Sequence, residues 1–436
     1  LSFRTHVSNN FGSDEQFNPT WSAGAVWHVS EETFMEVVRP VLSRLSLRVA
    51  TGYTGNINKT VKPNLMMKYY KNFRISDDEN YRMGYINNAP NPKLRWEKTR
   101  DVKVALDFGL WKDRINGIVE AYWRKSKDCV TSEYVPVTTG FFNQSYNTSV
   151  LQNNGVEFSL SVAVLKSKDY NLSVSANVAW NQNKLKKYNS PNTSLALDKY
   201  VGYPMGAVFS GKYEGIDPET GMYKFKLRPD AVTNKDGYLR EPNNYYYYLG
   251  TSVAPFTGGF NLNFSYKNIG LSVGGSYSVK AKMVDNIESP AGYELLSGSK
   301  LESIPTPHND LYRNHLNVKR EVRNRWTPEN RTGVKYPRLI DAYGKKLGLD
   351  LTNPTLTTIT RGALLEDISY LRINTIALSY SLPQRVLERI NFSSAALNLT
   401  LNNFFTITKY SGIDPEVPGA TYPVSRSVTI GLNVGF

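Results

Sequence analysis

The chain is nearly without cysteine. Cys129 is the single thiol in 436 residues, which excludes an intrachain disulfide and a thiolate-based metal cluster. No run of about 18 apolar residues occurs, so no transmembrane helix is expected. Histidine is scarce too. His6, His28, His308 and His315 show no H-E-x-x-H or similar spacing, and no metal site is read from them. Nucleophile-elbow, Walker and dinucleotide-binding glycine patterns are missing. The chain is therefore expected to be no enzyme, with no cofactor and no metal.

Acidic residues are the minority charge. There are 52 Lys and Arg against 38 Asp and Glu, a formal charge of +14. Such a bias suits nucleic acid, an anionic substrate or anionic lipid headgroups. The basic residues are spread along the chain instead of massed in one run, so nucleic acid is not expected. The charge reads as solvated loop charge.

Aromatic residues and alternating patterns are abundant. The 29 Tyr outnumber the 18 Phe, as where rings sit at a boundary with one wet end. In the final stretch Val424, Val428, Ile430, Leu432, Val434 and Phe436 fall on one side of a period-two pattern. Ser425, Ser427, Thr429, Gly431, Asn433 and Gly435 fall on the other. A strand sends these sets to opposite faces. The apolar face suits either a soluble core or lipid, and the pattern alone does not separate them. A mean hydropathy of −0.42 does not exclude a membrane barrel, because each strand gives only half its residues to lipid.

The pattern recurs as hairpins. Val102–Leu110 and Ile115–Trp123 flank the turn Trp111–Arg114. Val156–Val164 and Leu172–Trp180 flank Lys166–Asp169. Phe260–Tyr266 and Leu271–Tyr277 flank Lys267–Asn268. Residues 18–28 and 44–50 read as further strands, with Ser30-Glu31-Glu32 capping a brief helical turn between them. Thr51–Asn56 reads as a turn and 57–97 as a long loop. Further long loops are expected at 125–147, 182–204, 283–355 and 409–422, the longest with short helical turns around 308–325. Near the end, Ile376–Leu382 and Leu397–Phe405 read as strands, with Pro383 breaking the ladder. Strands of about ten residues, short turns at one end and long loops at the other are the layout of an outer-membrane barrel. The fold class read is thus all-β, a transmembrane antiparallel β-barrel with short periplasmic turns and long extracellular loops.

Residues 361–417 resemble the C-terminal part of SusC/RagA-type TonB-dependent transporters. The resemblance rests on Glu366–Arg372, Tyr380-Ser381-Leu382-Pro383, Asn403-Phe404-Phe405-Thr406 and Tyr410–Glu416. Earlier segments agree in order and spacing: LRWEKT at 94–99, NNGVEFSL at 153–160, GIDPETG at 215–221, PFTGGF at 255–260, RWTPEN at 325–330 and YPRL at 336–339. The resemblance implies a barrel of about 22 strands closed around a plug, of which residues 1–436 supply roughly the last fourteen. It also implies a SusD-like lipoprotein at the extracellular mouth, TonB acting from the periplasm, and an oligosaccharide or peptide as cargo. No signal peptide opens the chain, and Leu1–Thr5 reads as a strand already under way. The chain is therefore expected to be a fragment or the later piece of a split protein, with plug and remaining strands supplied elsewhere. The second reading open at this point is a non-transporting barrel that serves as a structural component of a larger secretion or assembly complex.

The resemblance also points to particular residues. It places Glu366 and Asp367 at the mouth of a strand, where turn capping or loop contacts are expected. Val232–Gly237 stands where many relatives carry a calcium-loop-like element. Val232 and Asn243 replace ligand positions there, so no tight calcium site is expected. Tyr245, Tyr246, Tyr247 and Tyr248 read as an aromatic girdle or, alternatively, as rings that stack on cargo. Lys319, Arg320, Arg323 and Arg325 could contact cargo or the capping lipoprotein, against a plain solvated loop. Val434 and Phe436 resemble the C-terminal signal read by the barrel-assembly machinery.

Overall fold

The structure is a computed structural model that describes residues 1–56, 61, 63–76, 79–188, 200–219, 221, 223–231, 244–284, 323–335, 361–418 and 422–436. Two compact units divide it, Leu1–Met205 and Gly206–Phe436. No strand pairing among the described residues closes a barrel.

Among the described residues the first unit holds nine strands: β1 (Ser2–Val7), β2 (Phe17–Trp27), β3 (Leu42–Asn56), β4 (Met66–Ser76), β5 (Glu79–Asn88), β6 (Glu97–Leu110), β7 (Ile115–Tyr134), β8 (Asn143–Lys166) and β9 (Tyr170–Tyr188). Seven of them form an antiparallel meander in the order β1-β2-β3-β6-β7-β8-β9. β4 and β5 pair with each other as a separate hairpin. The register lines up the alternating apolar residues across the meander. Leu47 stands opposite Leu106, Leu106 opposite Val119, Val119 opposite Phe158, and Phe158 opposite Val178. Such directly opposed pairs are the unit of sheet stabilisation. At Phe108, the ring lies across the sheet over Gly117, where an added Cβ would stand 2.2 Å from it.

Several sequence expectations change here. Thr51–Asn56 is no turn, because β3 runs on to Asn56. Gly52 serves close packing instead: a Cβ there would meet the Trp21 carbonyl oxygen at 2.5 Å. The loop expected at 57–97 contains the β4–β5 hairpin and the start of β6. The loop expected at 125–147 shrinks to 135–142, because β7 has 20 residues and β8 has 24. Both exceed the roughly 9–11 residues that cross a bilayer. Polar alternation in those extensions hid them from a search for apolar periodicity. The helical turn after β2 is present as two short 3-10 turns, Val29–Glu31 and Thr33–Met35, but Ser30 caps neither of them.

The second unit holds β10 (Ala207–Gly211), β11 (Tyr213–Ile216), β12 (Tyr223–Phe225), β13 (Tyr246–Thr251), β14 (Phe256–Tyr266), β15 (Ile269–Val279), β16 (Lys282–Val284), β17 (Leu365–Asp367), β18 (Tyr370–Ser381), β19 (Ser394–Thr408) and β20 (Ser427–Gly435). The last meander runs β14-β15-β18-β19-β20, and β10–β13, β11–β12 and β16–β17 are separate pairs. Leu271 opposes Leu378, Leu378 opposes Leu399, and Leu399 opposes Ile430. The other face carries Asn263, Ser272, Ser379, Asn398 and Thr400, all small and uncharged. Pro383 does end β18, and a short helix α1 (Gln384–Arg389) follows it. That helix was missing from the sequence reading, because six residues are too few to show a period.

In each meander the longest connections share one end, 57–96 in the first and 280–369 and 409–426 in the second, while 28–41 and 382–393 lie at the end that carries the tight turns. β6–β7, β8–β9 and β14–β15 are joined by tight turns, with Trp111, Lys112, Asp113 and Lys267 in the left-handed region. No helix of the described residues is long and apolar enough to cross a membrane. The longest expected loop, 283–355, is described only at 283–284 and 323–335, so the helical turns expected around 308–325 lie almost wholly outside the described residues.

Candidate functional site

The polar face of the first meander is charged, and three ion pairs cross it. Arg48 Nε lies 2.6 Å from Asp107 Oδ2, Lys103 Nζ 3.2 Å from Glu120 Oε1, and Arg124 Nη2 3.0 Å from Asp101 Oδ2. Alternation puts all six on the side away from Leu47, Leu106 and Val119. Each pair bridges neighbouring strands, and each is partly exposed, so its worth to stability is about 0–1 kcal/mol. The ladder makes a wet wall, and it supplies no nucleophile beside a base. Farther along, Glu133 is buried and accepts from the Tyr188 hydroxyl at 2.5 and 2.6 Å and from Thr131 at 2.8 Å.

Cys129 is buried on β7. Burial first, and the Glu97 carboxylate second, push its thiol up to about 11. It is an unreactive packing residue at neutral pH. His6 lies beside the Trp96 ring, with centroids 6.2 Å apart, and His28 Nδ1 is 3.1 Å from Ser46 Oγ. His308 and His315 lie outside the described residues.

In the second unit the long-loop end is organised around Arg372 on β18. Its side chain is 3% exposed, and Nη2 donates to Asp414 Oδ1 at 2.5 Å. Nη1 stands 2.8 Å from Glu416 Oε2, an ion pair without hydrogen-bond geometry. Asp414 also accepts the backbone N–H of Glu416 at 2.9 Å and of Val424 at 3.2 Å. Burial pushes the Asp414 carboxyl up, but those N–H donors and Arg372 outweigh it and hold it below the ordinary carboxylate range. One carboxylate thereby ties β18, the 409–418 segment and the approach to β20 together. Ala281, Ile368 and Tyr410 form a small buried cluster beside this tie.

Glu366 and Asp367 behave as capping acids. Glu366 accepts the Ser411 N–H at 2.8 Å, and Asp367 accepts the Ser369 N–H at 2.8 Å. The tyrosine run departs from the girdle reading. Tyr246, Tyr247 and Tyr248 lie on β13 opposite Gly211, Ser210 and Phe209, so they belong to the β10–β13 pair and not to the five-stranded meander. The Tyr247 hydroxyl donates to the Leu227 carbonyl at 2.9 Å, and the Tyr248 ring is exposed beside Phe209. Tyr245 precedes the strand, and burial raises its phenol. The sequence reading missed a second aromatic group, Tyr213, Tyr223 and Phe225, whose rings meet across β11 and β12. Only the spacing of ten residues between Tyr213 and Tyr223, across a turn that holds Pro218 and Gly221, could have suggested it.

Arg323 is exposed and Arg325 partly buried, while Lys319 and Arg320 lie outside the described residues. So does the calcium-loop-like stretch up to Asn243. Val434 sits opposite Ala395 on β20. The exposed Phe436 ring meets Phe392 edge-on at 5.1 Å.

Comparison with known proteins follows the same lines. The family described as TonB dependent receptor-like, beta-barrel, matches residues 2–404. The chain is 26% identical over 467 residues to the TonB-dependent receptor SusC of Bacteroides thetaiotaomicron, a match covering 100% of the chain and 42% of that protein. It is 25% identical over 475 residues to the TonB-dependent receptor P26 of Formosa agariphila, covering 99% and 44%. Among solved structures it superposes on the RagAB peptide transporter with a TM-score of 0.77 at 26% identity, covering 99% of this chain and 45% of that one. The RagAB peptide importer in its closed-closed state gives 0.78 at 26% identity, covering 100% and 45%. The chain spans less than half the length of these relatives.

Proposed function

The chain belongs to the TonB-dependent receptor-like β-barrel family, and from that premise we propose that it forms the later wall of an outer-membrane importer of oligosaccharides or peptides. The observation that carries this reading is the two-faced sheet. The first meander has one face with an apolar band from Leu47 to Val178, and the second has one with a band from Leu271 to Ile430, each suited to lipid. The opposite face of each meander is polar, with three ion pairs crossing it in the first unit, and is suited to a wet lumen. In this reading a SusD-like lipoprotein closes the extracellular mouth, and TonB acts through a plug supplied outside this chain.

The long-loop end is the cargo and partner side. Tyr245, Tyr246, Tyr247 and Tyr248 then contribute rings to cargo binding, and Lys319, Arg320, Arg323 and Arg325 contact cargo or the lipoprotein. Val434 and Phe436 serve as the insertion signal of the last strand. The RagAB likeness favours peptide cargo and does not exclude oligosaccharide, so the test must offer both. A strain lacking the full-length gene should grow poorly on one cargo class as its only source. Growth should return with the intact gene and fail to return when its TonB-interacting segment is removed. Normal growth on every such source, together with stable purification inside a multiprotein assembly, would favour the scaffolding role instead.

A further inference from the structure

The basic residues of the first unit are not all loop charge. Lys98 stands directly opposite Lys127, and Arg100 directly opposite Lys125, on β6 and β7. Directly opposed residues in an antiparallel pair hold their Cβ atoms about 5 Å apart, and like charges there repel. All four side chains are exposed. Alternation puts them on the same face as Val102 and Trp123, the outward, lipid-facing side.

The acids of this stretch are engaged elsewhere. Glu97 accepts from Asn56 Nδ2 at 2.7 Å and from the Val130 N–H at 2.9 Å. Asp101 pairs with Arg124 on the inner wall, and Asp128 pairs with Arg95 at 2.7 Å. The same rows continue outward through neutral Tyr53 and Gln152, and then through Lys184 opposite Gln152. Among the described residues no carboxylate pairs with Lys98, Arg100, Lys125 or Lys127.

Their height matters as much as their sign. Going up β7 on the outward face, Val119 and Ala121 give way to exposed Trp123, then to Lys125 and Lys127. An exposed Trp at that point marks the membrane–water boundary. The long-loop end of the barrel is extracellular, so the four cations stand level with the headgroups of the outer leaflet. Basic side chains just beyond an apolar band attract anionic headgroups. We propose that Lys98, Arg100, Lys125 and Lys127 bind the phosphate of a lipid A-type glycolipid in the outer leaflet. The bound phosphate offsets part of the repulsion within the two opposed like-charge pairs. This inference rests on the outer-membrane orientation of the barrel and does not depend on transport.

The test uses the full-length protein in detergent, with purified monophosphoryl lipid A, dephosphorylated lipid A and inorganic phosphate offered separately. Native mass spectrometry reads the adducts. The wild type should hold monophosphoryl lipid A at least tenfold better than the dephosphorylated lipid. A variant carrying Lys98→Gln, Arg100→Gln, Lys125→Gln and Lys127→Gln should lose that preference. A control with Lys166→Gln and Lys168→Gln, at the opposite end of the strands, should keep it. The heat-dependent gel shift of a folded barrel checks each variant, and Arg100→Gln with Lys125→Gln replaces the fourfold change if that one does not fold. Equal adducts in wild type and variant would overturn the proposal, as would a response to inorganic phosphate alone. Unchanged lipid retention with lost capture of the surface lipoprotein would overturn it in favour of a protein partner. Loss of lipid binding with cargo uptake intact would support it whatever the cargo is.

Discussion

Arg372 and Asp414 meet at 2.5 Å with side chains 3% and 6% exposed, joining a barrel strand to a segment 42 residues later. Removing one member of a buried ion pair leaves the other charge unsatisfied, at about 3–5 kcal/mol. Arg372→Ala should therefore lower the unfolding free energy of the full-length protein, read from its urea titration, by about that amount. Glu416→Gln should cost much less, because the Glu416 side chain is 45% exposed.

The same pair sets a pH dependence. The Asp414 carboxyl is held below its ordinary value, so its contribution is present above the unfolded carboxylate value of about 3.9 and is lost as pH falls through the folded value. Hydrogen exchange, corrected for intrinsic rates, should show the Glu416 and Val424 amides equally protected at pH 7 and pH 5. Protection should fall only in more acidic solution. In Asp414→Asn that acid-dependent step should disappear, with both amides less protected throughout.

Glycines under aromatic rings should resist enlargement. The Phe260 ring lies across the sheet over Gly275, where an added Cβ would stand 2.4 Å from it. Overpacking of this kind costs about 1–3 kcal/mol. Gly275→Val should reduce the fraction of folded barrel in the gel-shift assay, and Phe260→Leu in the same chain should recover part of the loss.

Cys129 should be slow to alkylate. Its thiol is buried and pushed up to about 11, so almost none is thiolate at pH 8. Iodoacetamide should modify it rapidly only after unfolding in urea. Rapid labelling of the folded protein would contradict the buried placement of β7.

The period-two pattern made the barrel-type sheet legible, because lipid and lumen demand opposite chemistry on alternate residues. Val102–Leu110 and Ile115–Trp123 were readable for that reason. Lys125 and Lys127 were not, since β7 continues beyond the apolar band and its alternation becomes polar on both faces. The four-tyrosine run was visible, but its place was not, because β13 pairs with β10 through contacts far apart in sequence. Arg372 and Asp414 were each legible within motifs that resemble a family. Their contact depends on how the 409–418 segment folds back, which no local pattern encodes.

The central claim is a sheet with lipid on one side and a wet lumen on the other. Asn398 and Leu399 are neighbours on β19 that face opposite ways, opposite Gly431 and Ile430 of β20. In the full-length protein with Cys129→Ser, single Asn398→Cys and Leu399→Cys variants can be labelled in intact outer membranes with a small cationic methanethiosulfonate. Rapid labelling at 398 with protection at 399, reversed for a lipid-soluble reagent, is the predicted result. Equal labelling at both positions, or the opposite order, would contradict the account.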